Sequence, residues 1–234
     1  MQKIKPLPIS EFEPQIKGLI DQLFFSNLHY QIGTGLRESW REYYQEVVPS
    51  HVFWQFTIQA HDTMSVLGLC RVYDNTKFAN KTCLTLRRFI STVEANPDVF
   101  QESEFRKRLE KNPHIDSLAQ RLPKLDPNQI EADKEFCDSD AMVKHLRKYR
   151  SNMIAHLNYE YAVGKDKDWS KSNPIPYSDI KKLIKQGFEI LNRYSGIFVA
   201  NTHSERLVSK QDEDYLEVLK SLRRLRSIEN SEEL

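Results

Sequence analysis

Long stretches of this chain place apolar residues three and four positions apart, the spacing that sets them on one face of an α-helix. Almost nowhere do apolar and polar residues alternate as they do along a half-buried strand, so the pattern predicts a nearly all-α fold, a helical bundle. Ser10 and Glu13 have capping-box spacing, and Phe12, Ile16, Leu19, Ile20, Leu23 and Phe24 follow at helical intervals, predicting a first helix over about 11–32. Gly33-Thr34-Gly35 predicts a break before a shorter helix through Trp40 and Tyr44. That helix should stop at Val48, because Pro49 disfavours helical geometry in the residue before it. Ser50 is the expected cap of a helix over about 51–74, the most apolar of the chain, with Phe53, Phe56, Ala60, Met64 and Leu67 on one seam. Its composition predicts the central core helix.

A further helix is expected over about 82–95, ending before Pro97. The segment 96–138 holds Pro97, Pro113, Pro123 and Pro127 between charged helical pieces and reads as a candidate inserted flap or satellite hairpin. A helix over about 139–161 and a polar loop, 165–177, lead to a helix reaching about 200, with Ile180, Leu183, Ile184, Phe188, Leu191 and Tyr194 on its apolar face. The last helix, about 211–229, has acidic residues at its start and Arg223, Arg224 and Arg226 near its end, complementing the helix dipole. The expected organisation is one helical domain over 1–202, carrying 96–138, and a charged C-terminal helical extension over 203–234.

Composition narrows the function. With 234 residues, 39% of them hydrophobic, the chain can bury one substantial core. The 34 Lys and Arg nearly balance 33 Asp and Glu, so a formal charge of +1 exerts no global pull on nucleic acid, and any such site has to be a local patch. Cys70, Cys83 and Cys137 include no C-x-x-C pair and are expected to be free thiols. Without an apolar leader or a bilayer-length apolar run, the protein is expected to be soluble and cytoplasmic, with no membrane partner. There is no H-E-x-x-H, Glu-x-x-His or phosphate-cradling glycine loop, so neither a metal nor any other cofactor is expected. His61-Asp62 on the central helix reads as helix surface, with a supporting pair as the sharper alternative.

The candidate chemistry sits on the 139–161 helix. Val143, Leu146, Met153 and Leu157 form an apolar stripe with Arg150 in its middle, and a guanidinium there needs a partner. His156 follows six residues later, about 120° round and about 9 Å along the axis of a regular helix. Arginine offers a planar donor fork for phosphate oxygens, and histidine moves protons near neutrality. Asn152 lies one turn before His156. Lys144, Arg147 and Lys148 make the segment locally basic, and Tyr149 and Tyr159 could stack on unpaired bases. The plain alternatives are a structural ion pair at Arg150, a satisfied helical histidine, a solvated charged face and core tyrosines.

Arg150 and His156 on a late helix of an all-α chain resemble the Arg-(four to six residues)-His motif of the HEPN superfamily. The earlier helix, ending Leu67-Gly68-Leu69-Cys70-Arg71-Val72-Tyr73-Asp74, is similar to the Arg-hydrophobic-Tyr-Asp ending of its AbiU-like branch, which is linked to phage abortive infection. The resemblance covers about 10–200. It implies a helical bundle that forms a homodimer, with the two motif helices facing across a cleft, acting as a metal-independent endoribonuclease. Such a protein serves as a toxin or antiphage effector, with RNA as substrate and a cognate antitoxin as a candidate partner. In that reading His156 transfers the proton, Arg150 stabilises the phosphate, Asn152 supports them, and Lys144, Arg147, Lys148, Tyr149 and Tyr159 contact RNA. Ser151 stands where many members carry Asn, Asp or His after the arginine. Attack by the RNA 2′-OH benefits from one group that removes its proton and a second that protonates the leaving oxygen, which a symmetric pair of chains would supply. Two other readings stay open: a non-catalytic helical module that binds RNA or nucleotide, and an interaction protein with Arg150 as a structural ion pair.

Overall fold

A computed structural model of the chain describes residues 8–74, 77–78, 81–154, 174–205 and 213–232. After a 3₁₀ turn at Ile9–Glu11 come α1 (Phe12–Ser39), α2 (Tyr44–Val47), a 3₁₀ turn at Val48–Ser50 and α3 (His51–Tyr73). A two-residue antiparallel ladder, β1 (Lys77–Phe78) with β2 (Lys81–Thr82), precedes α4 (Leu86–Ala95). Then follow α5 (Glu102–Arg108), α6 (Ile115–Gln120), α7 (Pro127–Ser139), α8 (Ala141–Tyr149), α9 (Tyr177–Val199) and α10 (Asp214–Glu232). The fold is all-α, as the periodicity predicts. Among the described residues no helix is long and apolar enough to cross a membrane.

α1 and α3 pack antiparallel, and small residues set their separation. A Cβ on Gly68 would lie 2.9 Å from Ser26 Cβ and 3.2 Å from the Gln22 carbonyl, while the Ser26 hydroxyl donates to the Ser65 carbonyl at 2.8 Å. This corrects the predicted break at Gly33-Thr34-Gly35, because α1 runs straight through it. A Cβ at Gly33 would meet Asp62 Oδ1 at 3.1 Å and His61 Cβ at 3.3 Å, and one at Gly35 would meet Tyr215 Cζ of α10 at 2.8 Å. Both glycines provide space for a neighbour, at a helix-propensity cost of about 1 kcal/mol each.

The expected seam of α3 is also corrected. Phe53 is 62% and Phe56 64% exposed, whereas Trp54, Val66, Leu69, Val72 and Tyr73 are buried. Only the second half of α3 enters the main core. That core joins α1 (Phe12, Ile16, Leu19, Ile20, Leu23) to α4 (Phe89, Ile90, Val93) and α9 (Ile184, Phe188, Leu191). The first half packs one side into a smaller cluster of Leu36, Tyr43, Val47, Trp54 and Leu219 of α10. Ser50 precedes α3 but makes no side-chain cap bond.

The segment 96–138 buries Phe100, Phe105, Ala119, Ile130 and Cys137. Arg108 Nε donates to the Phe198 carbonyl near the end of α9 at 2.8 Å. α7 meets α9 through Asp133, which is 3% exposed. Its Oδ1 accepts from Arg193 Nη2 at 2.9 Å and Gln129 Nε2 at 3.0 Å, and its Oδ2 accepts from the Tyr194 hydroxyl at 2.8 Å. Removing this carboxylate strands a guanidinium and a buried hydroxyl, so Asp133→Ala should lower stability by about 3 kcal/mol, measured by denaturant unfolding.

Burial pushes the Cys70 and Cys137 thiols up to about 12, the Arg150 guanidinium opposing this weakly at Cys70. A raised thiol pKa keeps the unreactive protonated form at pH 8. In native protein an aromatic disulfide reagent should therefore titrate Cys83, which is partly exposed, with Cys70 and Cys137 reacting only on unfolding.

Candidate functional site at the end of α3

α3 stops at Tyr73, and Asp74 takes its cap position with extended backbone, φ −67° and ψ 175°. Tyr73 is 1% exposed, and its hydroxyl donates to the Leu183 carbonyl of α9 at 2.7 Å. Burial pushes this phenol well above its ordinary value, so it stays protonated and donating. These contacts hold the end of α3 against the bundle.

α8 is aimed at that end. Asp140 caps it, its Oδ1 accepting from the backbone N–H of Met142 at 2.8 Å and of Val143 at 3.3 Å. Val143 and Leu146 are buried in the core. Arg147 and Arg150, one turn apart, both reach α3: Arg147 Nε donates to the Tyr73 carbonyl at 2.7 Å, and Arg150 Nη1 meets Asp74 Oδ1 at 2.9 Å and Oδ2 at 2.7 Å. The last carbonyls of a helix lack partners within it and carry the negative end of its dipole, so two cations there are favourably placed. Asp74 is the partner that the sequence pattern requires for Arg150. The side chain of Arg150 is 27% exposed and that of Asp74 17%.

From Arg150 to Ile154 the backbone widens into a π turn. This corrects the regular α-helix predicted through this stretch, and the rest of the predicted 139–161 helix, from 155 on, lies outside the described residues. Two restraints bracket the turn: Arg150 is held at Asp74, and Ile154 packs against the core. Asn152 Nδ2 donates within the helix to the Lys148 carbonyl at 2.9 Å. Lys144 and Lys148 are exposed, and Tyr149 is half-buried against the core edge. His156 and Tyr159 lie outside the described residues.

A second polar cluster lies on α1, α3 and α9. Asp62 Oδ2 accepts from Arg37 Nη2 at 2.7 Å and from the Tyr177 hydroxyl at 2.9 Å, with the Arg37 guanidinium 4.3 Å above the Tyr177 ring. Burial and the bond to Asp62 push the Tyr177 phenol up to about 12. The Tyr149 phenol is also raised, by burial first and Asp62 second, so this cluster is within electrostatic reach of the residue preceding Arg150. His61 faces His29 across the α1–α3 contact, Nδ1 to Nδ1 at 2.9 Å. His61-Asp62 is thus a pair of half-buried, partnered side chains rather than simple helix surface. Arg37, Tyr177 and His29 are absent from the sequence-based candidates because they lie 25, 115 and 32 residues from their partners. Asp74 was visible only as part of a motif without a role.

Among the described residues no group of three or more His, Cys, Asp or Glu is arranged to hold a metal ion. A cavity of about 610 Å³ opens between α4, α6 and α7, lined by Phe100, Leu122, Leu125 and Ile130, but none of the candidate site residues lines it.

The Asp74–Arg150 contact predicts a measurable coupling. Asp74→Ala and Arg150→Ala should each destabilise by about 1–3 kcal/mol, and the double variant should lose less than the sum. Equilibrium unfolding of the four proteins in the cycle gives the coupling directly.

A family model described as HEPN_AbiU2, AbiU2, matches residues 22–219. No curated protein and no solved structure matches the chain.

Proposed function

The chain belongs to the HEPN_AbiU2 family, which supports a HEPN-type, abortive-infection-related function, and from that membership we propose that it is a metal-independent endoribonuclease acting on cellular RNA as a toxin or antiphage effector. The observation that carries this reading is the placement of Arg150. Its guanidinium is oriented by Asp74 at the start of a π turn, is part-exposed, and belongs to a segment that also carries exposed Lys144 and Lys148. A pre-oriented guanidinium stabilises charge that develops on phosphoryl oxygens, because no reorganisation is needed as the reaction proceeds.

In the proposed step a base removes the proton of the RNA 2′-OH and the 2′ oxygen forms a bond to phosphorus. The bond from phosphorus to the 5′ oxygen breaks, and an acid delivers a proton to that leaving oxygen. The products are a 2′,3′-cyclic phosphate and a 5′-hydroxyl. His156 is the proposed proton carrier, Arg150 the phosphate ligand and Asn152 a supporting group. A two-fold homodimer would bring a second His156, so that one ring serves as base and the other as acid. Lys148 and Tyr149 extend the anion-binding and stacking surface, with Lys144 beside them and Tyr159 as a further proposed base contact; Arg147 contributes mainly by holding α8 to α3. A cytoplasmic location and a cognate antitoxin belong to the same proposal.

Purified protein in EDTA should cut single-stranded RNA, leaving cyclic phosphate ends. Arg150→Ala and His156→Ala should each lower the rate by at least about 100-fold while remaining folded, as expected for loss of charge stabilisation or acid–base catalysis. Wild-type protein that binds RNA without cutting it, with binding lost in Arg150→Ala and kept in His156→Ala, would replace the enzyme with a non-catalytic RNA-binding module.

A further inference from the structure

The His29–His61 pair belongs neither to the Arg150 site nor to the hydrophobic core. His29 is on α1 and His61 on α3, with ring centroids 4.9 Å apart and planes inclined by 45°. At an Nδ1–Nδ1 separation of 2.9 Å, one ring presents N–H to the lone pair of the other. Both rings favour the neutral form. Burial lowers both pKa values, and His61 adds to the lowering at His29, while Asp62 opposes it at His61. Neutral imidazole is the form that ligates metal ions.

The helices holding the rings are fixed to each other on both sides of the pair. Gly33 brings α1 against His61 and Asp62, the Ser26 hydroxyl binds the Ser65 carbonyl, and Arg37 pairs with Asp62 at 2.7 Å. The Phe25 ring packs edge-on to His29 at 4.5 Å. The two nitrogens therefore converge from separate, rigid elements, and both rings are only half-buried, so an ion can reach them.

We propose that His29 and His61 form a two-imidazole site for a borderline first-row transition-metal ion such as Zn²⁺, Ni²⁺ or Cu²⁺, ligated by both Nδ1 atoms and completed by solvent. Imidazole suits these ions, whereas Mg²⁺ and Ca²⁺ prefer oxygen. The proton now between the rings moves to the Nε2 of its own ring, so each ligand stays neutral and no net proton is released. Nitrogens held at about 2.0–2.1 Å in tetrahedral geometry lie about 3.4 Å apart, which the rings reach by parting about 0.5 Å. Among the described residues no third His, Cys, Asp or Glu joins the pair as a ligand, and Asp62 is engaged with Arg37 and Tyr177. The site ties α1 to α3 through two residues that the ribonuclease reading does not use, so it is independent of that reading. Sequence spacing does not reveal it, because local ligand motifs miss two histidines 32 residues apart.

The test uses full-length protein without an affinity tag, titrated with Zn²⁺, Ni²⁺ or Cu²⁺ by calorimetry and followed by thermal melting. One ion should bind per chain, the melting temperature should rise with Zn²⁺ and not with Mg²⁺, and His29→Ala or His61→Ala should weaken binding by at least about tenfold. His61→Gln keeps a hydrogen-bonding side chain opposite His29 without offering an imidazole, so it should fold and lose the metal response. A wild-type protein with no response to the three ions overturns the site, as does a His29→Ala/His61→Ala double variant that binds like wild type. RNA cleavage in EDTA is unaffected by either result, so the two proposals fail separately.

Discussion

The C-terminal carbonyls of α3 have no partners within their own helix, and the way the chain satisfies them determines where the candidate site lies. Tyr73 is locked into the core by its bond to the Leu183 carbonyl, which leaves its own carbonyl and the Asp74 carboxylate at the helix end. Arg147 takes the first and Arg150 the second. Capping of one helix thereby becomes the docking rule for another. The same contacts orient a guanidinium whose side chain is still part-exposed, so a residue that docks α8 also keeps a donor fork open to solvent.

That end of α3 is positioned by the α1–α3 contact beneath it. Glycine at Gly33 and Gly68 removes the Cβ atoms that would hold the helices apart, and the Ser26–Ser65 bond satisfies a hydroxyl buried at the crossing. Close approach then places the imidazoles of His29 and His61, and the side chains of Arg37 and Asp62, within bonding distance. The backbone gives up some helix propensity at its glycines, and the tertiary packing more than offsets it.

Three aspartates show how the fold treats charge at different depths. Asp133 is buried and accepts from several donors between α7 and α9. Asp62 is part-exposed and joins α1, α3 and α9 through Arg37 and Tyr177. Asp74 stands at a helix end and faces Arg150. The apolar surface is distributed the opposite way: Phe53 and Phe56 are left outside, because the first half of α3 has α1, α2 and α10 on one side only.

Helical class and most helix boundaries were legible in the sequence because they depend on local spacing. Ser10 to Phe24 set the first helix, and Ile180 to Tyr194 the apolar face of α9, through residues within a few turns of one another. Arg150 stood out for a similar local reason, a cation within an apolar stripe. Its partner did not, since Asp74 is 76 residues away and meets it only when α8 docks. The Gly33–Gly35 stretch misled because local propensity cannot register the neighbours that need its space, and the seam through Phe53 and Phe56 misled because periodicity identifies an apolar face without saying what covers it. The sequence by itself determined an all-α chain with a basic, arginine-bearing late helix, since both follow from periodicity and composition. Tertiary structure alone decided the Asp74–Arg150 pair and the His29–His61 contact, because each is created by side chains that only long-range packing brings together.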